Sequence, residues 1–207
     1  FYIECARLIK AETDLWVLIE TNGYGLTPQH LDCLKDAGVD SFCLDIKAFD
    51  ESDHKWLTGC FNRNILKLPE AIIKRGFVLE VLSLYIPTLV ETPQLKKIAR
   101  LIFDLNPEIP FTILCFFPEY QMKRYRRPKA SEIVEAYHAA DQADRVAAFG
   151  GALVTSVPVD RATAELVVKN YLEVVAAPDF EAGVVELLAA RGNLRIVRIP
   201  RMDGLAD

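Results

Sequence analysis

The 207 residues carry 24 Lys and Arg against 29 Asp and Glu, a net charge of −5, and 51% of them are hydrophobic. That composition supports a packed core in one domain or two small ones, and its acidic balance argues against nucleic acid, whose phosphates demand excess cations. No apolar run approaches the roughly 20 residues that span a bilayer and no signal peptide opens the chain, so a membrane partner is excluded and the cytoplasm is the expected compartment.

In chain order, helix and strand patterns alternate. Residues 2–10 form an amphipathic helix pattern already in progress, with no initiator Met before it, and the start is read as a truncation. Residues 16–20 (WVLIE) are a short apolar run rich in β-formers, as a buried strand is. TNGYG follows as a turn. Thr27 and Pro28 then open a helix as N-cap and first-turn residue, and Gly38 closes it. SFCLDIKAF is the next strand, residues 64–75 a helix ending at Gly76, and FVLEVLSLYIP a strand stopped at Pro87. A helix over 92–105, the strand PFTILCFFP and a helix over 131–143 complete this stretch. Beyond Gly151 the alternation continues: ALVTSVPVD as strand and turn, a helix over 161–171, the strand LEVVAAP, a helix over 180–191, the strand NLRIVRIP and a short polar tail. Strands alternating with helices predict an α/β fold with parallel strands and right-handed crossovers, either an open doubly wound sheet or part of a β/α barrel.

Both architectures place chemistry at the carboxyl ends of strands. Asp45 and Lys47 stand two apart on one strand and so share a face. An acid and a base there suit a zwitterion or a ribose, or form a structural ion pair. Glu20, Thr21, Asn22 and Gly23 bring a carboxylate, a hydroxyl and an amide around a tight turn. They could hold a cation or the polar edge of a ligand, or serve the turn alone, since Asn-Gly accepts positive φ cheaply. The loop EYQMKRYRRPK interleaves Lys123, Arg124, Arg126, Arg127 and Lys129 with Tyr120 and Tyr125, fit for an anionic substrate or a peptide, or simply solvated. His30, His54 and His138 lack metal-ligand spacing and read as solvated or satisfied histidines. Cys5, Cys33, Cys43, Cys60 and Cys115 are odd in number and widely spaced, which suits reduced thiols and supplies no cluster-binding motif. No metal ligand and no catalytic residue is assigned.

The ETNG turn and the LDIKAFD strand together change the weighting. From residue 1 to about 140 the chain resembles the later part of radical SAM enzymes, in particular the glycyl-radical (pyruvate formate-lyase) activating enzymes. The resemblance implies a partial β/α barrel over residues 1–142, made of strands three to six of that fold. It assigns Glu20, Thr21, Asn22, Gly23, Asp45, Lys47 and Tyr120 to binding of S-adenosylmethionine, with Glu20 where many activating enzymes have Asp and Tyr120 near a family His. The family's C-x-x-x-C-x-x-C loop and G-G-E-P strand are not in this chain. The implied [4Fe–4S] cluster therefore belongs to the full-length parent only, and the fragment alone is expected to be inactive. The implied function of the parent is reductive cleavage of S-adenosylmethionine to a 5′-deoxyadenosyl radical, acting on a protein or peptide substrate.

From residue 143 to 207 the likeness changes. ADRVAAFGG, then LEVVAAPDF and GNLRIV, resemble the AICAR transformylase region of the bifunctional purine-biosynthesis protein, a formyltransferase. That resemblance implies a small α/β segment with Asp144, Phe149 and Gly150 bordering an AICAR site. Both families carry an E-A-Y-x-x-A helix where they meet, so residues 135–143 fit either one. The reading is a chimera of two truncated enzymes joined over that helix. The alternatives are a formyltransferase fragment recognised by its tail and a non-catalytic α/β binding domain.

Overall fold

A computed structural model describes residues 1–141, 151–170 and 172–200. Packing divides the chain into two units, Phe1–Phe116 and Phe117–Asp207, each built on its own parallel sheet. In the first unit the elements are α1 (Tyr2–Glu12), β1 (Leu18–Thr21), α2 (Pro28–Asp36), β2 (Ser41–Asp45), α3 (Glu51–Thr58), a 3-10 turn (Ile65–Lys67) running into α4 (Leu68–Ile73), β3 (Val78–Tyr85), α5 (Thr92–Leu105) and β4 (Phe111–Cys115). The strands lie in the order β1-β2-β3-β4, all parallel. A doubly wound sheet reverses its strand order at a switch point. Here each strand adds to the same edge, as in a β/α barrel, so of the two architectures open in the sequence the first sheet is an arc of the barrel kind.

Helix and strand ends follow local chemistry. The Thr27 hydroxyl accepts from His30 N–H as the cap on α2, and the His30 ring Nδ1 lies 3.0 Å from Gly25 O and 3.4 Å from Thr27 N. This also gives His30 its satisfied role. Asp40 ties α1 to the sheet: its Oδ2 accepts from the Lys10 ammonium at 2.6 Å and from Val17 N–H at 2.7 Å. Along β3 the side chains alternate, with Leu79, Val81, Ser83 and Tyr85 buried and Glu80, Leu82 and Leu84 half-buried. The buried face meets α4 and α5, and Leu31, Leu34, Ile72, Leu95, Ile98 and Ile102 complete that core. β1 is an outer strand, and around it Leu15, Trp16 and Leu18 are exposed.

The second unit holds a 3-10 turn (Tyr120–Met122), α6 (Ala130–Asp141), β5 (Gly151–Val154), α7 (Arg161–Lys169), β6 (Leu172–Ala177), α8 (Val184–Ala189) and β7 (Arg195–Arg198), with the sheet in the order β5-β6-β7. Asp160 caps α7 by accepting from Thr163 N–H at 2.7 Å. Val167, Val175, Ala177, Val184 and Leu188 form its core.

Three readings from sequence are corrected. The helix α3 has no counterpart in the periodicity reading, because its eight residues are mostly polar and it stops at Gly59 in the left-handed region, φ +77. The helix expected over 180–191 shortens to α8, since Phe180 pairs with Val159 and Gly183 sits at φ +78. The second strand ends at Asp45, so Lys47 lies beyond the ladder. No helix among the described residues is long and apolar enough to cross a membrane.

Candidate functional site

The face of the first sheet opposite α4 and α5 carries the polar side chains. Register aligns Glu20, Cys43 and Glu80 as one row across β1, β2 and β3, and Asp45, Leu82 and Thr112 as the next across β2, β3 and β4. Thr112 donates its hydroxyl to Glu80 Oε1 at 2.9 Å. Cys43 is the middle member of the first row and is buried. Burial pushes its thiol up, and the carboxylates of Glu80, Glu20 and Asp45 push the same way, so it is no thiolate nucleophile.

At the carboxyl end of β2, Lys47 forms an ion pair with Asp45 Oδ2. The Asp45 side chain is 15% exposed and that of Lys47 31%. Asp45 Oδ1 is buried and has no hydrogen-bond partner among the described residues, an arrangement that costs stability unless a ligand completes it.

The segment carrying Lys47 is held by three buried polar side chains that sequence reasoning missed. Ser83 donates to Ile46 O at 2.7 Å, and Ile46 N–H bonds Leu82 O at 2.9 Å, so backbone pairing continues past the strand. Asn62 donates to Ala48 O and Phe49 O at 3.1 and 2.7 Å. Gln94 Oε1 accepts from Phe49 N–H and Asp50 N–H at 3.0 and 2.9 Å. A lone Ser within VLEVLSLYI is the one sequence signal for this set; Asn62 and Gln94 look like surface residues until the fold buries them.

Beside β2, the turn after β1 is built by its own side chains. Thr21 Oγ1 accepts from Gly23 N–H and Asn22 Oδ1 from Tyr24 N–H, both at 3.0 Å. Gly23 sits at φ +76, and a Cβ there would meet Leu68 Cδ1 at 2.5 Å and Leu44 Cδ1 at 3.1 Å. The turn thus needs glycine for packing as well as for backbone conformation, and Gly23 faces the core rather than solvent. The exposed polar groups left at this rim are the Glu20 carboxylate and the Asn22 amide.

Six of the residues singled out from sequence therefore gather at the ends of β1 and β2: Glu20, Thr21, Asn22, Gly23, Asp45 and Lys47. Tyr120 belongs to the second unit, 83% exposed and at φ +47, a conformation uncommon for a side chain of its size. In its loop, Arg127 stacks on the Phe117 ring, 3.4 Å from its centroid, and Arg126 pairs both its terminal nitrogens with Glu132 at 2.8 and 2.5 Å. Asp144, Phe149 and Gly150 lie outside the described residues. Among the described residues no group of three His, Cys, Asp or Glu side chains could hold a metal ion, and all five cysteines are free thiols.

Comparison with known proteins finds relatives of two kinds, each matching a different part of the chain. A protein from Methanocaldococcus jannaschii named as a glycyl-radical enzyme activating enzyme is 30% identical over 137 residues, 64% of this chain and 51% of that protein. A domain of pyruvate-formate lyase-activating enzyme from Bacteroides vulgatus superposes with a TM-score of 0.57 at 14% identity, over 68% of this chain and 84% of that one. Coproporphyrinogen III oxidase from Escherichia coli, a radical SAM enzyme, superposes at 0.52 and 13% identity, over 67% of this chain and 35% of its own. These two structures share the fold. The AICARFT/IMPCHase bienzyme family model matches residues 127–206. The bifunctional purine biosynthesis protein PurH of Clostridium perfringens is 47% identical over 64 residues, 31% of this chain and 13% of that protein. The chain thus spans about half the length of its archaeal relative and a small part of PurH. Its first two thirds resemble radical SAM activating enzymes and its remainder resembles the purine enzyme.

Proposed function

We propose that residues 1 to about 140 are the S-adenosylmethionine-holding part of a radical SAM activating enzyme. The observation that carries the proposal is the Asp45–Lys47 pair, half-sheltered at the end of a central strand with one Asp45 oxygen buried and unpartnered. A methionine moiety is a zwitterion. Its ammonium takes the place of Lys47 at Asp45, and its carboxylate takes the place of Asp45 at Lys47. Two charge-assisted contacts replace one, and a donor reaches Oδ1. Thr21 and Asn22 border the same rim, and Glu20 adds a carboxylate on the sheet face. The buried trio Ser83, Asn62 and Gln94 keeps the Lys47 backbone in place while its charge changes partners.

In the whole protein of which this chain is proposed to be a piece, the activity is reductive cleavage of S-adenosylmethionine to a 5′-deoxyadenosyl radical. The substrate class is a protein or peptide. The thiols described above do not fit a [4Fe–4S] cluster, since no three of them come together, and this chain's residues bind and orient the cofactor without one. The test is a thermal melt with S-adenosylmethionine. A ligand at one hundred times its Kd stabilises by about 2.7 kcal/mol. The parent chain gains that stabilisation and Lys47→Ala loses it. A parent chain that S-adenosylmethionine does not stabilise, with the upstream part of the protein restored, ends the proposal.

A second reading is favoured by the match over residues 127–206: the tail is a piece of an AICAR formyltransferase, with Asp144, Phe149 and Gly150 as AICAR contacts. Protection of the backbone around Phe149 from hydrogen exchange by AICAR supports it. Silence with both ligands leaves a non-catalytic α/β binding domain. A contiguous DNA read through the codons for residues 130–155 and well upstream of Phe1 separates a natural fusion from two joined genes.

A further inference from the structure

A cavity lies within the first unit, beside the turn after β1. It is lined by Asn22, Tyr24, His54, Thr58, Cys60 and Ile65 and measures about 280 Å³. At about 30 Å³ per water in the liquid, that is the room of roughly nine waters, the size of a small organic molecule.

His54 is the unusual member. It is 2% exposed, yet it lines the cavity. Nδ1 lies 2.9 Å from Cys60 O and 3.2 Å from Thr58 Oγ1. A carbonyl oxygen can only accept, so Nδ1 carries the hydrogen. Thr58 gives its own hydroxyl hydrogen to His54 O at 2.8 Å and accepts from Cys60 N–H at 3.2 Å. The end of α3 therefore locks the ring in one tautomer, and Nε2 is its remaining polar atom. Asn22, in the same lining, has its Oδ1 bonded to Tyr24 N–H, which leaves its NH2 as donor. Tyr24, an exposed residue of the same lining, brings a hydroxyl as a further donor. Among the described residues the lining holds no Lys, Arg, Asp or Glu, and a charged guest without a counter-ion is costly to desolvate. Ile65 supplies an apolar wall.

We propose that this cavity binds a small uncharged amide, its N–H donated to His54 Nε2 and its carbonyl accepting from Asn22 and Tyr24. The inference shares Asn22 with the S-adenosylmethionine reading, does not rest on that reading, and goes beyond it.

The probe is benzamide, with benzoate as its charged isostere. The full chain is titrated at pH 8, where an ordinary imidazole is uncharged, and the His54 ring nitrogens are followed by long-range nitrogen–proton correlation. Benzamide is expected to shift the Nε2 resonance in a saturable way with millimolar affinity, and benzoate to bind at least tenfold more weakly. His54→Asn keeps a donor where Nδ1 was and deletes Nε2; it should lose at least tenfold in affinity. Tyr24→Phe, at an exposed residue, should lose several-fold and decides the matter should His54→Asn fail to fold. An unshifted His54 at 50 mM benzamide overturns the proposal. So does benzoate binding as tightly as benzamide, or unchanged affinity in Tyr24→Phe.

Discussion

Replacing Gly23 by Ala separates two costs that the structure assigns to one position. The first is conformational. At φ +76 an L-residue pays about 1–2 kcal/mol against the left-handed region. The second is steric. The new Cβ would stand 2.5 Å from Leu68 Cδ1 and 3.1 Å from Leu44 Cδ1. Leu44 is fully buried and Leu68 nearly so, and forcing a methyl into a filled core costs about 1–3 kcal/mol. Gly25 is the internal control: its φ is +73, and nothing lies within 4 Å of where a Cβ would be. The lower entropy of the unfolded chain favours alanine at both sites and cancels between them. Gly23→Ala should therefore be less stable than Gly25→Ala by about 1–3 kcal/mol. Urea unfolding followed by tryptophan fluorescence measures this in the relevant unit, because Trp16 and Trp56 both lie in it. With a slope of about 1–3 kcal/mol per molar urea, the two midpoints should differ by about 1 M. Equal midpoints, or a lower one for Gly25→Ala, would show that the turn does not press on the Leu44 and Leu68 side chains, and the account of Gly23 as a packing residue would fail.

Other outcomes follow from the same geometry. Lys10 beside Asp40, and then the Val17 N–H, hold the Asp40 carboxyl below its ordinary value. A depressed folded-state value means the stabilisation is present above the unfolded value of about 3.9 and is lost as pH falls through the folded one. Asp40→Asn should therefore lower stability at pH 7 and flatten the acid limb of a stability–pH curve below pH 4; an unchanged acid limb counts against the contact. Asp160→Ala removes the α7 cap and should cost about 1 kcal/mol, read as faster amide exchange over residues 161–164; exchange at the wild-type rate would contradict it. Gln94→Leu should leave the Phe49 and Asp50 N–H groups without their acceptor, destabilise by about 1–3 kcal/mol and weaken S-adenosylmethionine binding through the Lys47 segment. Retained affinity in a folded Gln94→Leu protein would mean that the segment needs no such support.

The alternation of strand and helix was legible from the residues alone, because period-two and period-3.6 hydrophobic patterns reflect backbone geometry that does not depend on distant contacts. Thr27-Pro28 and Gly38 bounded α2 for equally local reasons. Asp45 and Lys47 could be named from spacing, and the two family likenesses from ordered motifs. Other features needed the fold. Whether the strands reverse their order or march along one edge is a question of pairing between residues far apart in sequence, and only the β1-β2-β3-β4 ladder answers it. The burial of Asn62, Ser83 and Gln94 around the Lys47 segment, the orphaned Asp45 Oδ1 and the cavity beside His54 arise from side chains 13 to 45 positions from their partners or brought together across loops. Sequence determined which segments could be strands and helices and which residues carried charge. Tertiary structure decided which polar groups lost their water, because desolvation depends on what the rest of the chain places around them.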